Sequence, residues 1–162
     1  MAAVFVSIRD AIKSAIAANH TSGGGTYDLS ATDQVKIGRF LQPPGSLAFV
    51  AIATPTIQGI PDARTLRDHA YVATFDLRGW VPVTADTPEA RSTAALNLIS
   101  DICSAVKAAR YDTGGSLKAI NSVRGIQAMN LTEIDGEEFD LPAGWASIFG
   151  TIVLDVHLNR GL

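Results

Sequence analysis

Two adjacent stretches with different hydrophobic periods constrain this chain most. In AYVATFDLRGWVPV, residues 70–83, the side chains of Tyr71, Ala73, Phe75, Leu77, Val81 and Val83 fall on one side and Thr74, Asp76 and Arg78 on the other. That is the period-two alternation of a half-buried strand. Trp80 breaks the polar side. A few residues later the period lengthens. Thr87 is placed to cap, Pro88 takes the first helical position, Glu89 complements the dipole, and Ala95, Leu98, Ile99, Ile102, Val106 and Ala109 make a long apolar stripe. A long strand followed by a helix over about residues 88–110 predicts a sheet with a helix laid on one face.

The remaining segments fit around that pair. Ser7 followed by Asp10 is a weak capping-box variant, and Ile8, Ala11, Ile12, Ala15 and Ile16 recur at helical spacing, predicting a short amphipathic helix that stops near Asn19. Residues 20–33, HTSGGGTYDLSATD, contain Gly23, Gly24 and Gly25, which carry a high backbone-entropy cost on ordering, so a mobile surface loop is expected there. Val35 and Ile37 alternate with Lys36 in a short strand. After a turn at Pro43, Pro44 and Gly45, LAFVAIA reads as a strand buried on both faces, paired with the first. The stretch 54–69 has two prolines, a glycine and no clean period, and is expected to be a long loop carrying Arg64 and Arg67. VRGIQAMNLTEI predicts a strand with Met129 and Leu131 on one face. In the last strand Ile148, Ile152, Leu154, Val156 and Leu158 alternate with Thr151, Asp155 and His157. The order predicts one α+β domain over residues 1–162. Its sheet is mostly antiparallel, because the links between strands lack helical crossovers, with a short N-terminal helix and one long helix packed on one face.

Composition narrows the function. At 162 residues the chain buries about 70% of its unfolded surface and needs no staple. Apolar residues make up 47% and charged ones 18%, so pervasive disorder is excluded, and 7% aromatic residues leave an aliphatic core. Thirteen basic residues against sixteen acidic ones give a net charge of −3, and the basic ones form no block that would track a phosphate backbone, so no sequence-specific nucleic acid is expected. The single cysteine, Cys103, cannot form an intrachain disulfide and is expected as a small core residue on the long helix. The start, MAAVFVSIRDAIKSAIAA, lacks a basic n-region, and Arg9, Asp10 and Lys13 interrupt its apolar run, so it is not expected to act as a targeting peptide. The longest later apolar run, Leu47 to Ala53, is too short to cross a membrane.

One stretch hints at catalysis. YDTGGS places Asp112, Thr113 and Gly114 in the order of an aspartic-protease turn, where two carboxylates share one proton. Here Gly115 stands fourth and the segment follows a helix instead of an apolar strand, so a helix terminator explains the glycines. His20, His69 and His157 are dispersed without metal-ligand spacing; Ser104, Ser116 and Ser147 lack a nucleophile elbow; and Gly23 to Gly25 match no phosphate loop. No catalytic, cofactor or metal set is expected. The acidic group Glu133, Asp135, Glu137, Glu138 and Asp140 lacks EF-hand spacing and reads first as a solvated hairpin loop. Its second reading is contact with the basic residues Arg64, Arg67 and Arg78 of a neighbouring copy, with Trp80 and Trp145 as anchors if they are exposed.

With helix SIRDAIKSAI, strands VKIGRFLQPPGSLAFVAIA and HAYVATFDLRGWVPV, helix TPEARSTAALNLISDICSAVKAAR and closing strand ASIFGTIVLDVHL, the chain resembles the tail terminator proteins of tailed bacteriophages. The likeness lies in order, length and segment style over nearly the whole chain. It implies a small α+β domain without catalytic residues or cofactor, assembled into a hexameric ring at the tail-head junction of the virion after synthesis in the host cytoplasm. Such a ring ends tail-tube polymerisation, and its partners are itself, the tail tube protein and a head-tail connector or neck protein. A head-tail connector or neck completion protein shares size and ring symmetry and is the nearest alternative. A small hydrolase or ligand-binding domain, with YDTGGS as its only handle, is the distant one. The Gly23 to Gly25 loop and Thr54 to Asp68 are expected to order on assembly.

Overall fold

The two long alternating segments lie side by side at the centre of the molecule. The computed structural model describes residues 2–60, 68–134 and 143–159. Its elements are α1 (Ala2–Ala17), β1 (Val35–Ile37), β2 (Phe49–Ile52), β3 (Thr56–Ile60), β4 (Asp68–Pro82), α2 (Pro88–Tyr111), β5 (Val123–Glu133) and β6 (Trp145–Asn159). β4 and β6 pair antiparallel along their whole length, from Asp68 opposite Asn159 to Pro82 opposite Trp145. The six-stranded sheet runs β1-β2-β4-β6-β5, with β3 also on β4. β2 takes the Leu77–Trp80 half of that edge of β4 and β3 takes the Ala70–Thr74 half. The fold is α+β, as the segment order predicts.

Both helices cover one face. On β4 this face carries Ala73, Phe75 and Leu77; on β6 it carries Ile148, Ile152, Leu154 and Val156; and Val50 and Ile52 extend it onto β2, all buried in one cluster. α1 contributes Phe5, Ile8, Ile12 and Ile16 and α2 contributes Leu98, Ile102 and Val106. Their three- and four-residue spacings put each set on one helical face. Burying side chains of this kind stabilises by about 1.5–3 kcal/mol apiece, so this layer supplies most of the driving force for folding. α2 packs tightly on the sheet at Gly79, where an added Cβ would lie 2.7 Å from Leu98 Cδ2 and 2.9 Å from Ile148 Cγ1.

Local signals set the helix ends. Thr87 is extended, and its hydroxyl accepts the Ala90 amide at 3.2 Å, with Pro88 and Glu89 in the first turn, as the sequence predicts. α2 ends at Tyr111, after which Gly114 adopts φ +77°, and the Leu117 and Lys118 amides both donate to the Ala109 carbonyl. YDTGGS is thus a helix terminator. α1 begins before the expected cap: Ser7 is inside the helix, its hydroxyl donating to the Ala3 carbonyl at 2.9 Å.

Three readings change. β1 and β2 do pair, but in parallel. The irregular link 38–48 makes the crossover without a helix, folding Phe40 back against Phe49, so the absence of a helical crossover does not enforce antiparallel pairing here. Within the expected loop 54–69, Thr56–Ile60 is strand β3; every residue of it is exposed, which removes the alternation that would reveal a strand. Cys103 is half-exposed, off the buried stripe of α2. The glycine loop lies exposed on the surface, where the Gly23 and Gly25 amides donate to the His20 carbonyl and Gly24 takes φ +92°.

Candidate functional site

Among the described residues, the face of the sheet turned away from the helices has no second layer. Along β4 it presents Val72, Thr74, Asp76 and Arg78, and along β6 Phe149, Thr151, Val153, Asp155 and His157. None of these nine is buried, Asp76 is exposed and Phe149 is 53% exposed. At one end an aromatic corner seals the sheet. Phe49, Ala51 and Trp80 are buried there, with Phe40 and Trp145 packed around them. Phe40 meets Phe49 edge-on at a centroid distance of 5.0 Å, and Phe49 lies 5.7 Å from Trp80. This corner explains why Trp80 interrupts the polar side of β4: it belongs to a small second core. Ser147, opposite Trp80 in the register, is buried with it and donates to the Gly79 carbonyl at 3.0 Å.

Arg78 stands where the corner meets the open face. Its guanidinium carbon lies 5.0 Å from the Trp80 ring centroid, a cation–π stacking distance. Phe149 is its register partner on β6. Among the described residues no carboxylate pairs with Arg78, and its Nε is buried without an acceptor, as is Trp80 Nε1. Burial holds the guanidinium pKa below its ordinary value, since partial desolvation penalises the charge.

The structure separates the other expected interface residues. Trp80 is fully buried, so it is no exposed anchor; Trp145 is half-buried beside it. Glu133 pairs with Ile148 at the end of β5, which puts it on the helix-covered face, opposite to Arg78. Arg64, Arg67, Asp135, Glu137, Glu138 and Asp140 lie outside the described residues.

The residue that the sequence reading missed is Asp101. It lies on the buried face of α2, only 7% exposed, and its carboxylate accepts the Thr26 and Tyr27 amides and the Asn19 side-chain amide at 2.8 to 3.1 Å. Asn19 also donates to the Tyr27 carbonyl at 2.7 Å, and the Tyr27 hydroxyl donates to the Ala94 carbonyl. One carboxylate thus straps residues 19–27 across α2. Tyr27 has its pKa raised, chiefly by burial and further by the Asp101 charge, against a hydrogen bond from Asn97 that lowers it. The visible signal was an acid three residues after Leu98, inside an otherwise apolar stripe.

A cleft of about 650 Å³ lies between this strap and the α2 terminus, lined in part by Ser14, Ser104, Asp101, Asp112 and Ser116. The two aspartates cannot share a proton: Asp101 is on α2 and Asp112 caps its end eleven residues later, about 16 Å away along the axis. Among the described residues no group of three or more His, Cys, Asp or Glu is placed to hold a metal, and no helix is long and apolar enough to cross a membrane. No protein-family model matches the chain, and no curated protein matches it.

Proposed function

We propose that this chain is a structural virion subunit of the tail-terminator kind. Its copies form a ring that caps the tail tube, ends tube polymerisation and offers the joining surface for the head or neck. One observation supports the reading: among the described residues the sheet has a helix-covered core on one face and is left open on the other, within the segment order that the terminator resemblance implies. A domain whose folding needs only one face of its sheet can give the other to its neighbours without loss of stability. The sheet also ends in edge strands. β3 is exposed throughout, and β5 carries register shifts at Val123/Gly125 and Ile126/Ala128, irregularities that blunt indiscriminate strand pairing.

The test is the assembly state of the purified protein, by multi-angle light scattering and by negative-stain imaging after mixing with tail tube. The expected result is a closed ring that decorates tube ends. Rings that ignore the tube and bind portal or adaptor instead would favour the connector, and a monomer indifferent to tube at every concentration would remove the reading.

A further inference from the structure

Independently of the ring reading, we infer that residues 19–29 are a latch on the helical side of the fold: Tyr27 is its tongue, Asp101 on α2 its catch, and it opens and closes as a unit while the sheet stays folded. The loop is closed at its base, where the Leu29 amide donates to the Asn19 carbonyl at 2.9 Å and the Leu29 side chain is fully buried. Between these anchors residues 20–24 and 26 are exposed, and the Gly23 and Gly25 amides bond to His20 within the loop. A compact surface loop whose ends meet moves without pulling on the elements it connects.

Its hold on α2 runs along a single ridge. The Tyr27 amide donates to the Asp101 carboxylate at 2.9 Å, and two helical turns earlier the Tyr27 hydroxyl donates to the Ala94 carbonyl at 3.2 Å, so the side chain lies lengthwise on the helix. Asn19 ties the catch to the base, its side-chain amide donating both to Asp101 and to the Tyr27 carbonyl. Gly25 makes room for that amide. A Cβ there would lie 2.5 Å from Asn19 Nδ2 and Oδ1, and an amide pinned by two bonds cannot turn aside without releasing them. Closed, the strap sets Gly23, Gly24, Gly25 and Thr26 into one wall of the 650 Å³ cleft. Opening removes that wall, so the cleft has two shapes, and a molecule seated against it would hold the latch shut.

Gly25→Ala and Asp101→Asn test this, the first breaking the latch with the Asp101 charge intact. In chymotrypsin digests read by mass spectrometry, both are expected to be cut after Tyr27 about tenfold or more faster than the parent, as when a hydrogen bond to a charged group is lost, with cleavage in β4 and β6 unchanged. In a Tyr71→Phe/Tyr111→Phe background Tyr27 is the one phenol left of three. Burial raises its pKa in the closed latch, so its absorbance titration is expected to fall back towards the ordinary value of about 10 in Gly25→Ala. Unchanged cleavage in both variants overturns the latch. Equal acceleration in β4 and β6 overturns it too, because the loop then opens only with the whole fold. If the cut accelerates while the titration stays raised, the loop frays without Tyr27 leaving α2, and its role as the tongue is overturned. Should Gly25→Ala fail to fold, cleavage of Asp101→Asn decides alone. None of these outcomes depends on assembly, so the latch and the ring reading fail separately.

Discussion

The two faces of the sheet are built on different principles, although β4 and β6 contribute to both. Towards the helices, alternate residues such as Phe75, Leu77, Ile152 and Leu154 are at most 2% exposed and merge with side chains from α1 and α2 into one continuous core. Away from them, among the described residues, only the Phe49–Trp80 corner is sealed, and Phe149 stays more than half exposed. Burial on the first face accounts for folding; the second face has surface left over. Substitutions on the open face are therefore expected to carry little penalty in stability.

The sharpest way to break that contrast is to remove a large side chain from the covered face. Phe75 has no exposed surface and lies in the main cluster. Phe75→Ala is expected to destabilise by about 3–5 kcal/mol, the usual cost of deleting a buried phenyl ring from a core that only partly relaxes. The urea midpoint of the isolated subunit reads it. A loss below about 1 kcal/mol would mean that this layer is not the dominant core, and the asymmetry between the faces would fail.

A smaller effect is expected at the strap, which extends the covered side by polar means. Asp101→Ala leaves the Thr26 and Tyr27 amides and the Asn19 side chain without their shared acceptor. Unsatisfied groups of this kind cost about 1–3 kcal/mol. Asp101→Asn keeps one acceptor oxygen and is expected to lose less. Hydrogen exchange at the Thr26 and Tyr27 amides distinguishes this from a general loss of stability: these two should speed up in Asp101→Ala well before the β4 and β6 amides do. Uniform acceleration would show that Asp101 supports the whole fold and not the strap.

What could be read from the sequence follows the same division. The covered face was legible because its signals are local: alternation from Tyr71, the Thr87–Pro88–Glu89 start, and the stripe from Ala95 to Ala109 all depend on near neighbours. The parallel β1–β2 pairing was not, since strand direction across an irregular link is decided by tertiary packing around Phe40 and Phe49. β3 escaped notice because an exposed edge strand carries no alternation, and Pro55, Gly59 and Pro61 look like punctuation. On the open face Trp80 looked like an error in a pattern; its reason lies in residues more than thirty positions away. Arg78 was legible as a residue of the polar side of the strand, whereas its pairing with Phe149 needed the register of β6.

The smallest expected change in stability is the one that defines the open face. Phe149→Ser removes the most exposed large apolar side chain of that face, leaving the β4–β6 ladder and the helix-covered cluster untouched. For the isolated subunit the urea midpoint is expected to move by no more than about 0.5 kcal/mol, as for surface positions away from special features. If the chain assembles as proposed, the same variant is expected to weaken assembly, because a half-exposed phenyl ring on the open face gains more from a partner than from its own chain. A loss of about 2 kcal/mol or more in the isolated subunit would mean that the face already has an internal cover, and the two sides of the sheet would then differ only in the size of their cores.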